Sequence, residues 1–367
     1  MYKIEIKFIT LIRKIQRLFI PNVTTFLLIL LCYNSLVFSQ EVPIVTYERK
    51  VFIDVDYTFN NEVLYKPYQI REIPSTKEKV VLDIGNSCFF VFSDEGKFIR
   101  RISQAGQGPG DILHPAYFDV DDEGDIYVYE NGNTRISIFT KTGKFINSFR
   151  VSKPYKANLF VTKDREILIN LPERGYFITV FSREGEVISE VGKISEPRQP
   201  LNRSQTLDFL IMSSGWPFKD ENNNYYIFLE SYYSMRKYNE NNDLIKDIKF
   251  QKVFPYLKDK KITSDIRVIY TFWDIIFRNN KFYVLSMTDK HSTSGPEVRN
   301  LPIFVINNEL ELDKEIIIPL NKKLTFSSNY RYSYFAKSSY SIEVLSNGDI
   351  LFPHKDESEI YRFIIRK

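Results

Sequence analysis

The stretch Tyr117–Arg150, YFDVDDEGDIYVYENGNTRISIFTKTGKFINSFR, decides the fold. It contains four short runs rich in Val, Ile, Tyr and Phe, separated by the turn-forming segments DDEG, ENGN and KTG. The runs are Tyr117–Val120, Ile126–Tyr129, Arg135–Phe139 and Phe145–Arg150. Four consecutive antiparallel strands in so short a stretch are typical of one propeller blade.

The end of the third strand and its following turn recur along the chain, for example as FSDEGKFI from Phe92 and FTKTGKFI from Phe139. We call the residue at the end of each third strand an anchor. The six anchors are Phe92, Phe139, Phe181, Tyr238, Val305 and Phe363, at intervals of 47, 42, 57, 67 and 58 residues. Such intervals suit propeller repeats with loop insertions. The sequence therefore predicts an all-β fold, a six-bladed β-propeller of four-stranded antiparallel blades.

The chain ends after the third strand of the sixth blade, which would leave that blade with an open edge. The strand-like segment Ile44–Val55 precedes blade one. We expect it to pair with Tyr361–Arg366 and close the ring, so that residues 40–367 form a single domain.

The N-terminal 39 residues read as an export signal. Five basic residues and one acid precede or flank the apolar run Phe26–Cys32, which continues to Phe38 and is too short for a membrane span. Val37 and Ser39 suit a signal peptidase site, so residues 1–39 are predicted to be removed, by cleavage after Ser39. The whole chain carries 50 basic and 46 acidic residues, which leaves 45 of each after cleavage. A balanced mature chain excludes a basic nucleic-acid binder.

The two cysteines bear on the compartment. Lipid attachment at Cys32 is an alternative to cleavage, but Ile29, Leu30 and Leu31 lack the small residue that lipoprotein processing requires. After cleavage Cys88 is the only thiol, and its apolar strand CFFVF predicts a buried, inert side chain. The mature protein is therefore expected in the periplasm or outside the cell, without a disulfide or a stable membrane span.

The segment GQGPGDILHPAYFDVDDEGDIYVYENGNTRISIF, from Gly106 to Phe139, resembles the NHL-type repeat. That repeat has a G-x-G-P-G turn and a proline before a strand, then an acidic-Gly turn, an "IYV" strand and an N-x-R-I strand. With its leader and six anchors, the whole chain is similar to exported bacterial six-bladed propeller proteins of unknown function. The likeness is specific in blade two and the end of blade one and loose in blades three to six. It implies architecture only.

Two motifs suggest ligand loops. Asp119–Glu130 places acids at the spacing of a calcium loop, but no flanking helix is predicted, so a hairpin turn is the preferred interpretation. Gly106–Gly110 could be a phosphate loop, but a strand follows it, so an inter-blade turn is preferred. Arg135 of the Asn-x-Arg element is expected to hold adjacent blades together.

Catalytic chemistry has little support in the sequence. Some NHL-like propellers are lyases that hold zinc with histidines from several blades, but His114, His291 and His354 occupy non-equivalent places in the repeat. A Gly-x-Ser-x-Gly nucleophile motif is absent. Glu173 and Glu230 could line the central channel as a carboxylate pair. We predict no cofactor, no metal and no catalytic residue.

Ligand binding is expected on one face, which carries the loops between second and third strands and the connections between blades. Within blade five a loop is expected at Ser286–Pro302, and the connection from blade five to blade six at Pro319–Ser339. Three of the connections between blades are long and contain aromatic and charged residues. The candidate ligand-binding residues are His114, Glu130, Arg174, Trp216, Tyr232, Tyr233, Trp273, His291 and His354. For each aromatic residue, packing between blades is the alternative.

The leading hypothesis is a non-enzymatic binding module that recognises a glycan, a peptide or an envelope protein. The alternative is a propeller enzyme, a metal-assisted lyase or hydrolase, with its site at the channel mouth. A third possibility is a structural subunit of an envelope complex.

Overall fold

A computed structural model describes residues 44–53, 58–59, 62–154, 158–195, 201–229, 234–253, 272–286, 297–325, 341–354 and 358–365. All of these belong to the compact unit Ile44–Lys367. The predicted leader, with Cys32 and the cleavage site after Ser39, lies outside the described residues.

The N-terminal strands are β1 (Ile44–Ile53), β2 (Thr58–Phe59) and β3 (Glu62–Val63), of which β2 and β3 pair only with each other in the described sheets. Blade one contains β4 (Pro67–Glu72), β5 (Lys79–Asp83), β6 (Cys88–Phe92) and β7 (Phe98–Ile102). Blade two contains β8 (Pro115–Val120), β9 (Ile126–Glu130), β10 (Arg135–Phe139) and β11 (Phe145–Arg150). Blade three contains β12 (Leu159–Val161), β13 (Ile167–Ile169), β14 (Tyr176–Phe181) and β15 (Val187–Lys193).

Blade four contains β16 (Trp216–Lys219), β17 (Tyr225–Leu229), β18 (Ser234–Tyr238) and β19 (Leu244–Lys249). Blade five contains β20 (Phe272–Arg278), β21 (Lys281–Ser286), β22 (Glu297–Asn307) and β23 (Leu312–Thr325). Blade six contains β24 (Glu343–Val344), β25 (Ile350–His354) and β26 (Glu359–Ile365), with β1 as its fourth strand. The chain thus forms six four-stranded antiparallel blades, as predicted.

The strands of blade two follow from its sequence pattern. Every residue of β9 is buried, whereas the outer strand β11 is partly or fully exposed along its length. The turn between β8 and β9 needs a left-handed residue, and Gly124 supplies it with a φ of +94°. A side chain there would lie 2.6 Å from the Ile73 Cγ2 atom of blade one, so the turn also packs closely on its neighbour.

The core lies between the blades, where sheet faces pack on one another. Phe89 of blade one meets Phe118 of blade two edge to face, with ring centroids 5.1 Å apart. Cys88 is buried and forms no disulfide, and its burial confirms the expectation from its apolar strand.

The ring closes through the N-terminal strand, as predicted. β1 pairs antiparallel with β26, from Tyr47 opposite Ile365 to Ile53 opposite Ile360. Its first residues also pair in parallel with β23 of blade five, where Ile44 lies opposite Glu315. β1 therefore completes blade six and joins it to blade five in one eight-stranded sheet, and the sequence did not predict this second pairing.

The two faces of the ring differ. On the turn face, short hydrogen-bonded turns join first to second and third to fourth strands, as where Ser93 N–H donates to the Lys97 carbonyl over 2.8 Å. The opposite, loop face carries the connections between blades. The connection from blade three to blade four holds a ten-residue helix, α1 (Arg203–Met212), and β19 leads into a short helix, α2 (Phe250–Val253). The all-β prediction did not include these helices.

Blade five departs from the predicted loop boundaries. We expected loops at Ser286–Pro302 and Pro319–Ser339, but β22 begins at Glu297 and β23 continues to Thr325. The two strands pair from Ile306 opposite Leu312 to Glu297 opposite Thr325, so a long hairpin replaces part of each predicted loop. Within the described residues, no helix is long and apolar enough to cross a membrane.

Candidate functional site

The first strands of the blades surround the axis of the ring, because each is the inner edge of its sheet. In five blades the residue two positions before the first turn occupies an equivalent place, fixed by the hydrogen bond that closes the turn. We call this set the axial layer: Arg71, Asp119, Phe160, Phe218 and Glu343. Blade five contributes Phe277 and Arg278 from the end of β20.

Arg71 is the centre of the polar half of this layer. Its guanidinium lies 3.3 Å (Nε) from Asp119 Oδ1 and 3.5 Å (Nη1) from Glu343 Oε2, and so links blades two and six to blade one. It also donates to the Tyr117 hydroxyl over 2.7 Å and to the Ile342 carbonyl over 3.1 Å. The side chain of Arg71 is 2% exposed, so these contacts are made away from bulk water.

Blade five completes the polar half. Arg278 Nε donates to Glu343 Oε1 over 3.2 Å, and the Tyr117 hydroxyl donates to Asp274 Oδ1 over 3.3 Å. Asp274 Oδ2 accepts from the Ser341 hydroxyl at 2.7 Å. Two guanidinium groups and three carboxylates are therefore gathered from four blades.

Burial and the neighbouring charged groups together determine how the pKa values in this cluster are shifted. Burial raises the pKa of Glu343, against the opposing effect of Arg278 and Arg71. Burial and the Asp274 carboxylate raise the pKa of Tyr117 well above its usual value, so the hydroxyl stays protonated. Burial alone would lower the pKa of Arg71, but Tyr117 and the carboxylates of Glu343, Asp274 and Asp119 raise it overall.

Polar side chains also bind the backbone of the next blade. Gln69 donates to the Phe118 carbonyl over 2.8 Å and accepts from the Phe118 N–H over 2.9 Å. Asp119 accepts from the Val161 N–H at 3.0 Å, and Asp274 from the Ile342 N–H at 3.1 Å. These bonds satisfy inner-edge backbone groups that have no neighbouring strand. The chemistry of the polar half is thus to lock adjacent blades together.

The other half of the axial layer is aromatic. Phe160 and Phe218 pack edge to face with centroids 5.4 Å apart, and Phe277 lies 6.2 Å from each of them. Phe218 also contacts Phe282 at 5.4 Å. Blades three to five therefore meet at the axis through apolar packing, and we call Phe160, Phe218 and Phe277 the aromatic half.

Glu130, a predicted ligand contact, is fully buried and holds a loop. It accepts from the Leu113 N–H at 2.9 Å and from Arg135 Nε at 2.9 Å. Arg135 also donates to the carbonyls of Gly108 at 3.1 Å and Asp111 at 2.9 Å. The pair fixes the connection between blades one and two, the structural role expected of Arg135, and leaves Glu130 turned away from solvent.

Trp216 is also placed differently from the expectation. It begins β16, is buried, and packs edge to face on Phe272 of blade five with centroids 6.3 Å apart. Since the ring lies between two blades, Trp216 fits the alternative of inter-blade packing and not a ligand contact.

The remaining predicted residues are dispersed. His114 is exposed beside Glu130 on the connection before blade two, with a φ of +47°. Arg174 lies on blade three, where it pairs with Glu190 at 2.7 Å. His354 is buried on blade six between Phe352 and Tyr361. Tyr232, Tyr233, His291 and the Trp273 side chain lie outside what the structure describes.

The calcium-like motif Asp119–Glu130 is a hairpin, as preferred. Asp121 Oδ1 accepts from the backbone N–H groups of Gly124 and Asp125, both at 2.9 Å, and Oδ2 from the Tyr127 hydroxyl at 3.1 Å. Burial raises the pKa of Asp121. Asp119 and Glu130 serve the axis and the loop connection, respectively. The described residues contain no group of three or more potential His, Cys, Asp or Glu metal ligands.

Of the predicted carboxylate pair, Glu173 lies in a short 3-10 helix, Pro172–Arg174, and bonds Ser152. Glu230 lies outside the described residues.

Five residues at the axis were not predicted from the sequence: Arg71, Tyr117, Asp274, Arg278 and Glu343. A signal was present in PYQIRE, Pro67–Glu72, where Gln69 and Arg71 interrupt a strand that is otherwise expected to be apolar. Polar residues at alternate positions of a first strand indicate groups that face the axis.

Comparison with known proteins agrees with this architecture. Residues 52–169 match the model of the DUF5128 family, described as a 6-bladed beta-propeller, over the end of β1, blades one and two, and the first strands of blade three. The chain is a six-bladed β-propeller. No curated protein sequence matches it.

Several solved propellers are similar in fold. A protein described as exported, from Bacteroides fragilis, has a TM-score of 0.52 at 13% identity, covering 89% of this chain and 100% of that chain. A member of the DUF4221 family from Bacteroides vulgatus has a TM-score of 0.51 at 15% identity, covering 89% and 98%. A catalytically inactive virginiamycin B lyase from Staphylococcus aureus, with quinupristin, has a TM-score of 0.50 at 13% identity, covering 87% and 100%. At these identities the likeness concerns the fold alone.

Proposed function

We propose that this propeller is an exported, non-enzymatic binding module that recognises a peptide, a glycan or a partner protein on its loop face. The observation that supports this proposal is the difference between the turn face and the loop face of the ring. Short hydrogen-bonded turns make up the turn face, whereas the loop face carries connections such as residues 194–215 with helix α1. Long connections on a rigid scaffold are where binding function concentrates.

The chemistry of the axis supports binding in preference to catalysis. In the polar half, Arg71, Asp274 and Glu343 are committed to contacts between blades. A catalytic group must instead be free to reach a substrate. The axis therefore acts as a structural hub, and recognition is assigned to the loops around it.

Export is supported by the N-terminal sequence pattern and by the structurally similar Bacteroides fragilis protein, which is described as exported. After the predicted cleavage the chain carries 45 basic and 45 acidic residues, so its net charge gives no strong long-range attraction for a charged partner. Affinity would then depend on shape and apolar contacts.

The alternative of a metal-assisted lyase or hydrolase has less support. His114 is exposed on one connection and His354 is buried on another blade. They lie on different blades, and the described residues contain no group of three or more potential His, Cys, Asp or Glu ligands. A stoichiometric transition metal that is lost on His114→Ala or His354→Ala would favour the enzyme.

A combined glycan and peptide array tests the proposal. We expect the purified protein to be retained by members of one ligand class, with competition by the free ligand. Absence of specific retention on both arrays, together with a stoichiometric metal, would overturn the binding module.

A further inference from the structure

The charges of the propeller are distributed unevenly between its two faces. Eleven turns make up the turn face: residues 73–78, 93–97, 121–125, 140–144, 162–166, 182–186, 220–224, 239–243, 279–280, 307–311 and 345–349. They contain 18 acidic and seven basic residues, whereas the rest of residues 40–367 contains 27 acidic and 38 basic residues. The balanced net charge is therefore the sum of an acidic turn face and a basic remainder of the chain.

Six exposed cations lie on the loop face of blades two to four, at the ends of outer strands and on the adjoining segments. We call them the basic surface: Arg150, Lys153, Arg174, Lys193, Arg203 and Lys249. Arg150, Lys193 and Lys249 end the outer strands β11, β15 and β19, so a cation recurs at the same end of three successive blades.

The acids beside the basic surface are fewer and partly engaged. Glu173 accepts from the Ser152 hydroxyl, Glu190 pairs with Arg174, and Asp208 is half-buried on helix α1. Among the residues that the structure describes, Arg150, Lys193 and Arg203 form no ion pair. Their charges are therefore available to a partner in solution.

Contacts join the blade two and blade three parts of this surface. Ser152, which precedes Lys153, bonds Glu173, which precedes Arg174. The Ile194 N–H donates to the Gly175 carbonyl over 2.8 Å, so the end of β15 lies beside the loop that carries Arg174. The cations of these two blades thus belong to one continuous part of the loop face.

Arg203 is fixed on the connection that follows. It is the first residue of helix α1, whose N-terminus is closed by a reciprocal capping box between Asn202 and Gln205. An ordered helix holds this cation in place before a partner binds, which reduces the entropy cost of binding.

The composition of the basic surface indicates the chemistry of its partner. Lysine and serine are depleted in protein–protein interfaces, yet lysine supplies half of these cations, and Ser152, Ser195 and Ser204 are exposed beside them. A lysine ammonium acts as a point charge, which suits anionic groups spaced along a flexible chain. The serine hydroxyls both donate and accept, as the hydroxyls of sugars do.

We propose that the basic surface binds an anionic glycan, a sugar chain that carries carboxylate or sulfate groups. This rests on the proposed function and narrows its ligand from three classes to one. The acidic turn face repels the same chain, so the bound glycan is confined to the loop face. Local charge attraction then adds to the shape and apolar contacts, although the net charge is balanced.

The test measures binding of the purified protein to four immobilised probes: heparin, polygalacturonate, uncharged dextran and polyglutamate. We expect heparin or polygalacturonate to bind about tenfold or more tightly than dextran and polyglutamate, and the tighter of the two identifies sulfate or carboxylate as the recognised anion. Raising NaCl from about 50 to about 500 mM should weaken this binding by about tenfold, because salt screens exposed charges.

Arg150→Glu/Lys193→Glu/Arg203→Glu should weaken glycan binding by about tenfold or more, because three exposed cations become anions. The substitutions are exposed and break no ion pair within the described chain, so the melting temperature should stay near that of the wild type.

Lys97→Glu/Lys144→Glu/Lys163→Glu is the matched control. These three lysines are exposed on the turn face, and the change in net charge is the same. The control should bind the glycan within about twofold of the wild type. Equal weakening in both variants would show an effect of net charge and overturn the basic surface.

The remaining outcomes separate this site from the proposed function. Glycan binding that the loop-face variant keeps, or polyglutamate binding that equals glycan binding, overturns the assignment of an anionic glycan to this surface. Retention on the combined array of neutral glycans or peptides alone also overturns it and leaves the binding module standing. Absence of binding to all four probes and to the array overturns both.

Discussion

The two halves of the axial layer use different chemistry for the same task. In the polar half, Arg71 and Glu343 meet across the junction between blades one and six, residues that are 272 positions apart in sequence. In the aromatic half, Phe160 and Phe218 join two blades that follow each other along the chain. Ion pairs and hydrogen bonds are directional, whereas aromatic packing tolerates small shifts. The more specific chemistry thus lies where the two ends of the chain meet.

The largest effect should come from deleting Ile44–Ile53, which opens the ring in the polar half. The deletion exposes the edges of β26 and β23 together, so we expect loss of most of the stability of the domain, on the order of 5–15 kcal/mol, and aggregation. Size-exclusion chromatography and thermal circular dichroism would measure this. A synthetic peptide of residues 44–53 should restore the monomer. A monomeric deletion variant with an unchanged melting temperature would contradict the closure.

Arg71→Met should be the next most damaging change. It removes one of the two guanidinium groups that the buried carboxylates of Asp119 and Glu343 contact and leaves only that of Arg278, at an expected cost of about 4 kcal/mol in denaturant unfolding at pH 7. The surface pair Arg174–Glu190 supplies the control, where Arg174→Met should cost about 1 kcal/mol or less.

This deficit should depend on pH. Burial raises the pKa of Glu343 even beside Arg71, and loss of Arg71 removes one of the two cations that oppose this rise, so the variant loses stability relative to wild type as pH rises. The difference from wild type should therefore shrink on acidification. A deficit that is equal at pH 4 and pH 7 would argue against an electrostatic role.

Phe218→Ala probes the aromatic half. The cavity left among Phe160, Phe277 and Phe282 should cost about 3 kcal/mol. Because no charge is involved, we expect the same loss at both pH values and at high salt. Phe218→Leu should cost about 1 kcal/mol. A marked salt dependence would remove the distinction between the halves.

The smallest effect concerns an ion pair between the first turn and the outer strand of blade one. Glu78 forms a two-point ion pair with Arg100, at 3.0 and 2.8 Å, and this hydrogen bonding lowers the pKa of Glu78. A lowered folded-state pKa gives stability above the unfolded pKa that is lost as pH falls. Glu78→Gln should thus cost about 1 kcal/mol or less at pH 7 and nothing near pH 3. The exposed Glu184→Gln is the control, and equal losses in both variants would deny the pair a role.

Much of the fold was predictable because its signals are local. The turn glycines and the short apolar runs predicted β10 and β11 with their observed ends. Counting strands also predicted the partner of β1. The parallel pairing of Ile44 with Glu315 was not predictable, since a contact between distant segments leaves no periodic pattern in either.

The sites were harder to predict because their residues converge only in the closed ring. Arg71 shows in the sequence as a polar residue within a strand, but its partners lie on blades two and six. The capping residues Asn202 and Gln205 were readable, but α1 buries none of its residues and so lacks the usual amphipathic pattern. Trp216 was misplaced because an aromatic residue after a long loop suits a binding surface and an inter-blade wedge equally well.

The position of β1 ties completion of the fold to the order of synthesis. Its partner β26 ends at Ile365, so β1 is synthesised early and can form its antiparallel pairing only after β26 has been made. Contacts between such distant segments slow folding. A chain truncated before β26 therefore lacks the antiparallel partner of β1, which would leave most of that strand open to proteases and chaperones in incomplete products.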